Sequence, residues 1–434
     1  MTDNSPYNSC LKEMYGLRRF GIKLGLDTIA NILDVLGNPQ KNFPCIHIAG
    51  TNGKGSIASS LSTILNLSGY KVGMYTSPHL VKFNERICIN NIPVLDEEVV
   101  ESFAAVKNLH SEDREPTFFE YTTAMALYVF AKHKVDWAII ETGMGGRLDA
   151  TNIIEPEVCV ISNISKEHQA YLGNTIHEIA GEKGGIIKEN IPIVTGVKQK
   201  SAISKLEEIA KEKSAPIYRL SKDFSVRRNR KNGFSFFGIE NNWKQMQTGL
   251  LGSYQVDNAA LTLATCEILI KKGANLPLET IKSGLLTNKW PGRLDIVSKD
   301  PLVMLDGAHN LAAVKNLAGF LSENMSDSKI TLVTGMLDDK PFKDILEALL
   351  PVCSKLILTR PKIDRSIPPE ELLPIAEKIV KDITIIPDVG DAVNYAIANT
   401  KKTEAVCIAG SLYVVGEAKE IMETGTIKFS YMQI

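Results

Sequence analysis

The chain has 434 residues, beyond the ~250–300 at which a single hydrophobic core stops growing, so two domains are expected. Apolar residues make up 44% and charged residues 23%, the balance of a soluble globular protein, and no apolar run is long enough to span a membrane. A net charge of −1 gives no bulk attraction to nucleic acid or to a membrane surface, which leaves small-molecule partners.

Ser5-Pro6 reads as a helix cap followed by proline at the first helical position. A second helix opens at Asp27 and ends at Gly37. Next comes the stretch around which the chain is organised, Cys45-Ile46-His47-Ile48-Ala49-Gly50-Thr51-Asn52-Gly53-Lys54-Gly55-Ser56. Its apolar start reads as a buried parallel strand, its glycines as a tight loop, and Ile57 to Leu67 as the helix behind it. Strand, glycine loop and helix N-terminus together make an anion site, because backbone N–H groups converge there and the helix dipole favours negative charge. Lys54 adds a mobile cation for the β- and γ-phosphates of a nucleotide. The match to the P-loop pattern is incomplete. Ile48 stands where its first glycine is expected, and Gly55 stands where a Ser or Thr would bind magnesium. The metal must therefore be held from elsewhere.

Lys71 to Tyr75 reads as the next strand and ends in Ser77-Pro78-His79-Leu80, a place where open α/β sheets put ligands. Asp96 opens an acidic helix to His110, and Thr117 opens one that is apolar nearly all round through Phe130. Val135 to Ile140 is a strand, and Glu141 follows it as an acid at a strand end, before the glycines 143, 145 and 146. Further strands are expected at 158–161 and 191–194, with helices at 176–187 and 200–213. Phe224 to Phe237 alternates about Asn232-Gly233, a hairpin signal. An apolar helix covers Leu261 to Ile270, with Gln255 and Asn258 three apart in its first turn.

Trp290-Pro291-Gly292-Arg293 breaks the pattern, giving domains 1–292 and 293–434. Beyond it, strands at 302–305, 330–334, 355–359, 383–386 and 405–409 alternate with helices. The fold class is thus α/β with two domains: a P-loop ATPase-like, mostly parallel sheet, then a Rossmann-like parallel sheet. The seven scattered cysteines form no metal-binding spacing, and the N-terminus is polar, so a cytoplasmic enzyme with reduced thiols is expected.

Several separated segments together resemble the dihydrofolate synthase/folylpolyglutamate synthase family, relatives of the Mur peptidoglycan ligases. They are His47 to Ser56, Ser77 to Leu80, Phe118 to Thr122, Glu141 to Asn152, His168 to Ile187, Trp290 to Asp295, Asp306 to Asn310 and Gly410 to Tyr413. The resemblance implies a monomeric ATP-dependent ligase that joins L-glutamate to dihydropteroate or reduced folates through an acyl phosphate. It also implies roles residue by residue. Gly50, Thr51, Asn52, Gly53, Lys54, Gly55 and Ser56 would hold the ATP phosphates, and Asn258, Arg293 and Asp306 would contact the nucleotide. Ser77 and Glu141 would hold a first magnesium and His168 a second, with Lys183 carbamylated to serve it. His309 would lie near the chemistry. Pro78, His79, Arg86, Phe118, Phe119 and Glu120 would line the pterin pocket, a flat site needing an aromatic wall, to which Phe83 is a further candidate, and a few polar groups. One departure stands out: Glu167 precedes His168 where the family usually has Asp. A Mur-type amino-acid ligase, a P-loop switch without ligase activity and a kinase stopping at phosphoryl transfer are the other readings.

Overall fold

The computed structural model describes residues 5–17, 25–109, 114–229 and 233–425. The chain forms two compact units, one of Met1–Gly249 with Gln255–Asn288, the other of Leu250–Tyr254 with Lys289–Ile434. The short segment at 250–254 thus belongs with the second unit.

The first unit is built on eight strands. They are β1 (Cys45–Ala49), β2 (Val72–Tyr75), β3 (Ile87–Ile89), β4 (Ile92–Pro93), β5 (Trp137–Glu141), β6 (Val158–Ile161), β7 (Ile193–Thr195) and β8 (Ile217–Arg219). Their order is β4-β3-β2-β5-β1-β6-β7-β8. All pairs from β2 to β8 are parallel, while β3 and β4 run antiparallel at one edge. Every residue of β1 is buried, as its unbroken apolar run requires of a central parallel strand. The edge strand β4 is two exposed residues ending in proline, a form that discourages pairing with another chain. A three-stranded antiparallel sheet follows: β9 (Ser225–Arg228), β10 (Phe234–Phe237) and β11 (Asn242–Met246). The expected hairpin is β9–β10; Asn232 of its turn lies outside the described residues, as does His110.

Helix starts follow local chemistry. Ser5 Oγ accepts from Asn8 N–H, with Pro6 behind it. Thr117 and Glu120 form a reciprocal capping box at the Phe118–His133 helix. The acidic helix spans Asp96–Val106, and its cap position is Leu95 rather than Asp96, with Glu98 closing the turn. Likewise Asp27 is the first helical residue, not the cap, and that helix stops at Val35. The apolar helix expected from Leu261 starts earlier and spans Ser253–Lys271, because its first turns are buried by polar contacts that an apolar pattern does not register. β5 also differs from expectation: it starts at Trp137 and takes in Glu141 as its last residue.

The second unit holds β12 (Asp295–Lys299), β13 (Leu302–Asp306), β14 (Ile330–Thr334), β15 (Lys355–Leu358), β16 (Ile383–Ile385) and β17 (Ala405–Ala409), in the order β12-β13-β17-β14-β15-β16. Five strands are parallel, as expected; the sixth, β12, adds an antiparallel edge that sequence alternation does not reveal. Its residues are only partly buried, so no apolar run marks it. All seven cysteines are unpaired, and among the described residues no helix is long and apolar enough to cross a membrane.

One core residue of β1 has a measurable consequence. His47 is fully buried, and its Nε2 lies 2.8 Å from Thr151 Oγ1. Thr151 Oγ1 itself donates to Asp149 Oδ1 at 2.5 Å, so it accepts from His47, which carries its proton on Nε2. Nδ1 is left buried without a hydrogen-bond partner. Burial, with a smaller push from Lys188, lowers the His47 pKa from 6.5 to about 3. The unfolded chain takes up a proton near pH 6.5 that the native ring refuses until about pH 3. Stability is therefore expected to fall as pH drops through that window, by up to about 1.4 kcal/mol per pH unit from this group. Urea unfolding at pH 7 and pH 5 should show a shallower pH dependence for His47→Gln; parallel behaviour of variant and parent would contradict this.

Candidate active site

The site is built where β1 ends. Gly50 has φ +142°, and a Cβ there would lie 1.9 Å from Ser162 Oγ, so only glycine fits. The loop is then laced to the segment after β6. Thr51 N–H donates to Asn163 O at 2.9 Å and Asn52 N–H to Asn163 Oδ1 at 3.0 Å. Ser162 Oγ and Asn163 Nδ2 donate back to Asn52 O at 2.7 and 2.8 Å. Gly53, at φ +88°, leaves room for Asn258, whose Oδ1 would sit 2.5 Å from a Cβ at that position. The helix starts directly at Lys54, with Gly55 and Ser56 in its first turn. First-turn N–H groups have no partner within their own helix, which is what an anion needs.

Charged side chains converge on this loop. Lys54 Nζ donates to Gly50 O at 3.1 Å and lies 3.7 Å from Glu141 Oε1. Ser77 N–H donates to Glu141 Oε2 at 3.3 Å. Glu141 is buried, so its carboxylate bridges the P-loop lysine and the Ser77 loop. Lys183, on the Ile176–Gly184 helix, is buried and donates to Gly50 O at 3.0 Å and to Glu167 Oε1 at 2.7 Å. Burial lowers the Lys183 pKa, with Glu167 opposing and Lys54 reinforcing the shift. Glu167 is held below the usual carboxylate range, the attraction of Lys183 and Lys54 outweighing the effect of burial. His168 follows in a left-handed conformation, φ 45°, and opens the short helix Gln169–Leu172. Among the described residues no three His, Cys, Asp or Glu side chains gather in one group. The expected metal residues thus arrive as Ser77 with Glu141, and His168 beside the Glu167–Lys183 pair.

The loop after β5 is fixed by a carboxylate. Asp149 accepts from Met144 N at 2.8 Å and Thr151 N at 3.1 Å, besides Thr151 Oγ1. Gly146 is required by close approach, since a Cβ there would lie 2.8 Å from Lys183 O.

Among the expected pterin residues, the Ser77–Pro78 peptide is cis, and the loop behind it is gripped by Glu85, which accepts from Leu80 N, Val81 N and Lys82 N. Arg86 Nε donates to His79 Nδ1 at 2.8 Å, so His79 carries its proton on Nε2. The Arg86 guanidinium stands 5.3 Å from the Phe118 ring centroid. Phe118 also meets Tyr15 at 5.7 Å and Phe83 at 6.2 Å. Phe118 and Phe119 are half-buried, whereas Phe83 is a core residue. Glu120 is buried in the capping box and paired with Arg114, so its carboxylate serves the helix start. Tyr15 was not legible as a site residue; it comes from the Pro6–Gly16 helix, and nothing in its local sequence signals the contact.

The second unit has its own polar cluster. The Asp306 carboxylate, at the end of β13, accepts from Leu294 N at 2.8 Å and Ala308 N at 2.9 Å. Burial raises its pKa, with Arg293 opposing. These bonds hold Leu294 at φ +47° and so fix the turn carrying Arg293. Arg293 Nη1 passes so close to Gly307 that a Cβ there would be 3.0 Å away. His309 Nδ1 lies 2.8 Å from Gly307 O, an obligate acceptor, which puts the proton on Nδ1 and leaves Nε2 as the basic nitrogen of the neutral ring. The neighbouring strand β17 is followed by Gly410-Ser411, where Ser411 Oγ accepts from Tyr413 N and starts the last helix.

Residues 48–266 match the Mur ligase middle domain, and residues 292–412 match the Mur ligase glutamate ligase domain. The dihydrofolate synthase/folylpolyglutamate synthase of Bacillus subtilis (strain 168) is 38% identical, over 96% of this chain and 99% of that protein. The structure of E. coli FolC in complex with DHPP and ADP is similar with a TM-score of 0.90 at 30% identity, covering 98% of this chain and 99% of that one. A bifunctional folylpolyglutamate synthase/dihydrofolate synthase with Mn, AMPPNP and L-glutamate bound matches at a TM-score of 0.86 and 29% identity, over 97% and 98% of the two chains. By these full-length matches and the two Mur ligase domains, the chain belongs to the dihydrofolate synthase/folylpolyglutamate synthase family of Mur ligases, which are ATP-dependent ligases.

Proposed function

We propose that this ligase joins L-glutamate to the carboxylate of dihydropteroate, of reduced folates, or of both. The observation that carries the reading is the convergence of Lys54, Glu141, Ser77 and Lys183 on the loop at Gly50. An acceptor carboxylate oxygen attacks the γ-phosphorus of ATP, the bond to ADP breaks, and an acyl phosphate forms. The amine of glutamate then attacks the acyl carbon, phosphate leaves and the nitrogen loses a proton. A carboxylate and a triphosphate repel each other, so the first step depends on cations placed in advance. Lys54 supplies one such charge, and the first-turn N–H groups of Gly55 and Ser56 orient the phosphates.

The donor set around Glu141 suits a hard cation. The Glu141 carboxylate and the Ser77 hydroxyl are hard oxygen donors, which suit magnesium when phosphate oxygens and water complete its shell. Ser77 and Glu141 would hold one ion and His168 a second; bound magnesium supplies neutralisation of phosphate charge. Carbamylation of Lys183 is part of the proposal. Its support is a buried amine beside the phosphate loop whose pKa burial lowers, which weakens its hold on the proton that must leave before the nitrogen can attack carbon dioxide. A carbamate there is an anion, so the bond from Glu167 to Lys183 has to open as it forms. Tyr15, Phe118, His79 and Arg86 are assigned to the pterin end, where a flat ring is met by aromatic faces and a guanidinium. In the second unit Asp306 acts by pinning the backbone that carries Arg293 and His309. A monomer working in the cytoplasm completes the proposal.

The deciding experiment is phosphate release with ATP and magnesium, supplying L-glutamate and comparing dihydropteroate, tetrahydrofolate and a UDP-muramyl peptide as acceptors. Turnover with one or both pterins is expected. Turnover only with the UDP compound, or release indifferent to glutamate, would overturn the substrate assignment. Lys54→Ala should cut kcat by at least roughly 10²-fold, since its charge matters most where phosphate charge moves. Near-normal kcat would show that phosphates bind elsewhere. Glu141→Gln should raise the magnesium concentration needed for half-maximal rate, and an unchanged requirement would remove Glu141 from the metal site.

A further inference from the structure

The chain crosses between its compact units at Gly249–Leu250, Tyr254–Gln255 and Asn288–Lys289. Two of the three crossings are fastened, within the first unit, to one spot. Gln255 Nε2 donates to Ser56 Oγ at 3.3 Å. Asn288 Nδ2 donates to Ser59 Oγ and Ser60 Oγ, both at 3.0 Å. Those two hydroxyls donate in turn to Ser56 O at 3.1 and 2.8 Å. Thr63 Oγ1 lies 3.2 Å from Asn288 Oδ1 and 2.8 Å from Ser59 O, its one proton shared between the two. Gly249 N–H donates to Leu285 O at 2.9 Å, and a Cβ at Gly249 would lie 2.3 Å from Leu286 O and 2.8 Å from Asn288 O. Ser56, Gln255 and Asn288 are all buried. A fully bonded polar network in a low-dielectric interior fixes one geometry far more sharply than apolar packing does.

Ser56 is also the last residue of the phosphate loop, and its peptide belongs to the helix turn whose N–H groups face the anion. We propose that Asn288 and Gln255 are positioning residues which tie the crossings at 254–255 and 288–289 to the first turns of the Lys54–Leu67 helix, so that phosphate bound at the loop tightens them. The two amides touch no reacting atom; they act through Ser56, Ser59 and Ser60. The inference rests on the phosphate placement proposed above.

Hydrogen exchange on the full chain tests it, with and without AMPPNP and magnesium. In the parent, nucleotide should slow exchange by about threefold or more both at 53–60 and at the crossings, 249–258 and 286–292. In Asn288→Ala, protection at 53–60 should persist while the nucleotide-dependent part at 286–292 disappears. Ligase kcat should fall roughly tenfold with the KM for ATP within about threefold. Ser59→Ala removes only one acceptor and should give a weaker version of the same pattern, which guards against Asn288→Ala failing to fold. A purely structural role predicts faster exchange in Asn288→Ala with the nucleotide-dependent protection intact, and that result overturns the proposal. Absence of protection at 53–60 in the parent would instead overturn the phosphate placement itself.

Discussion

Two lysine ammonium groups share one carbonyl, and the site is arranged around that fact. Lys54 and Lys183 both donate to Gly50 O, so they lie no more than about 6 Å apart, the two bond lengths end to end. Unit charges at that distance repel by about 3 kcal/mol at an effective dielectric constant of about 20. Two acids offset the repulsion: Glu141 stands beside Lys54 and Glu167 beside Lys183. Neither lysine can be moved without disturbing the other, because the carbonyl between them belongs to a glycine that no other residue can replace. The loop is therefore preorganised for an anion in its backbone and its charges together. Preorganisation of this kind is what makes electrostatic catalysis effective, since no reorganisation is needed when charge moves.

The sequence shows the frame of this arrangement more clearly than its contacts. Parallel strands buried on both faces are continuous apolar runs, so β1, β6, β14 and β17 are legible at once. Half-buried β12 and β8 carry no such signal. Glycines 50 and 53 are legible because a tight loop between strand and helix demands them. Tyr15 is not, because its partners His79 and Phe118 lie more than sixty residues away. Gln255 and Asn258 were visible as a pair on one face, yet their placement inside a helix that begins at Ser253 depends on Ser56 and Gly53, which only the fold brings near.

Acids are the hardest residues to read from sequence. Glu85, Glu120, Asp149, Glu267 and Asp306 all accept backbone N–H groups, and each holds a turn or a helix start. Glu141 differs in position only by ending a strand beside a lysine. An acid that binds metal and an acid that clamps main chain use the same chemistry, charge-assisted acceptance. Glu141 meets both kinds of partner, with the Ser77 N–H on one oxygen and the Lys54 ammonium near the other, and that is set by tertiary structure. Asp306 illustrates the cost of ignoring this: both its oxygens are engaged by Leu294 and Ala308, so its influence on a ligand passes through the backbone it fixes.

Glu167 brings these two themes together. As an ammonium, Lys183 is balanced by Glu167 at 2.7 Å, and the pocket holds two cations against two acids. Conversion of Lys183 to a carbamate would remove one cation and add one anion beside Glu167 and His168. Lys54 would then face Glu141, Glu167, the carbamate and a triphosphate alone. Such a collection of negative groups would need divalent cations among them, so a carbamate at Lys183 would raise the demand for metal at this loop. The longer acid at position 167 bears on this balance. Its bond to Lys183 stabilises the ammonium form, and the amine must escape that bond before it can react with carbon dioxide. The carboxylate released in the process would stay beside His168, its neighbour in the chain, and add a negative charge there.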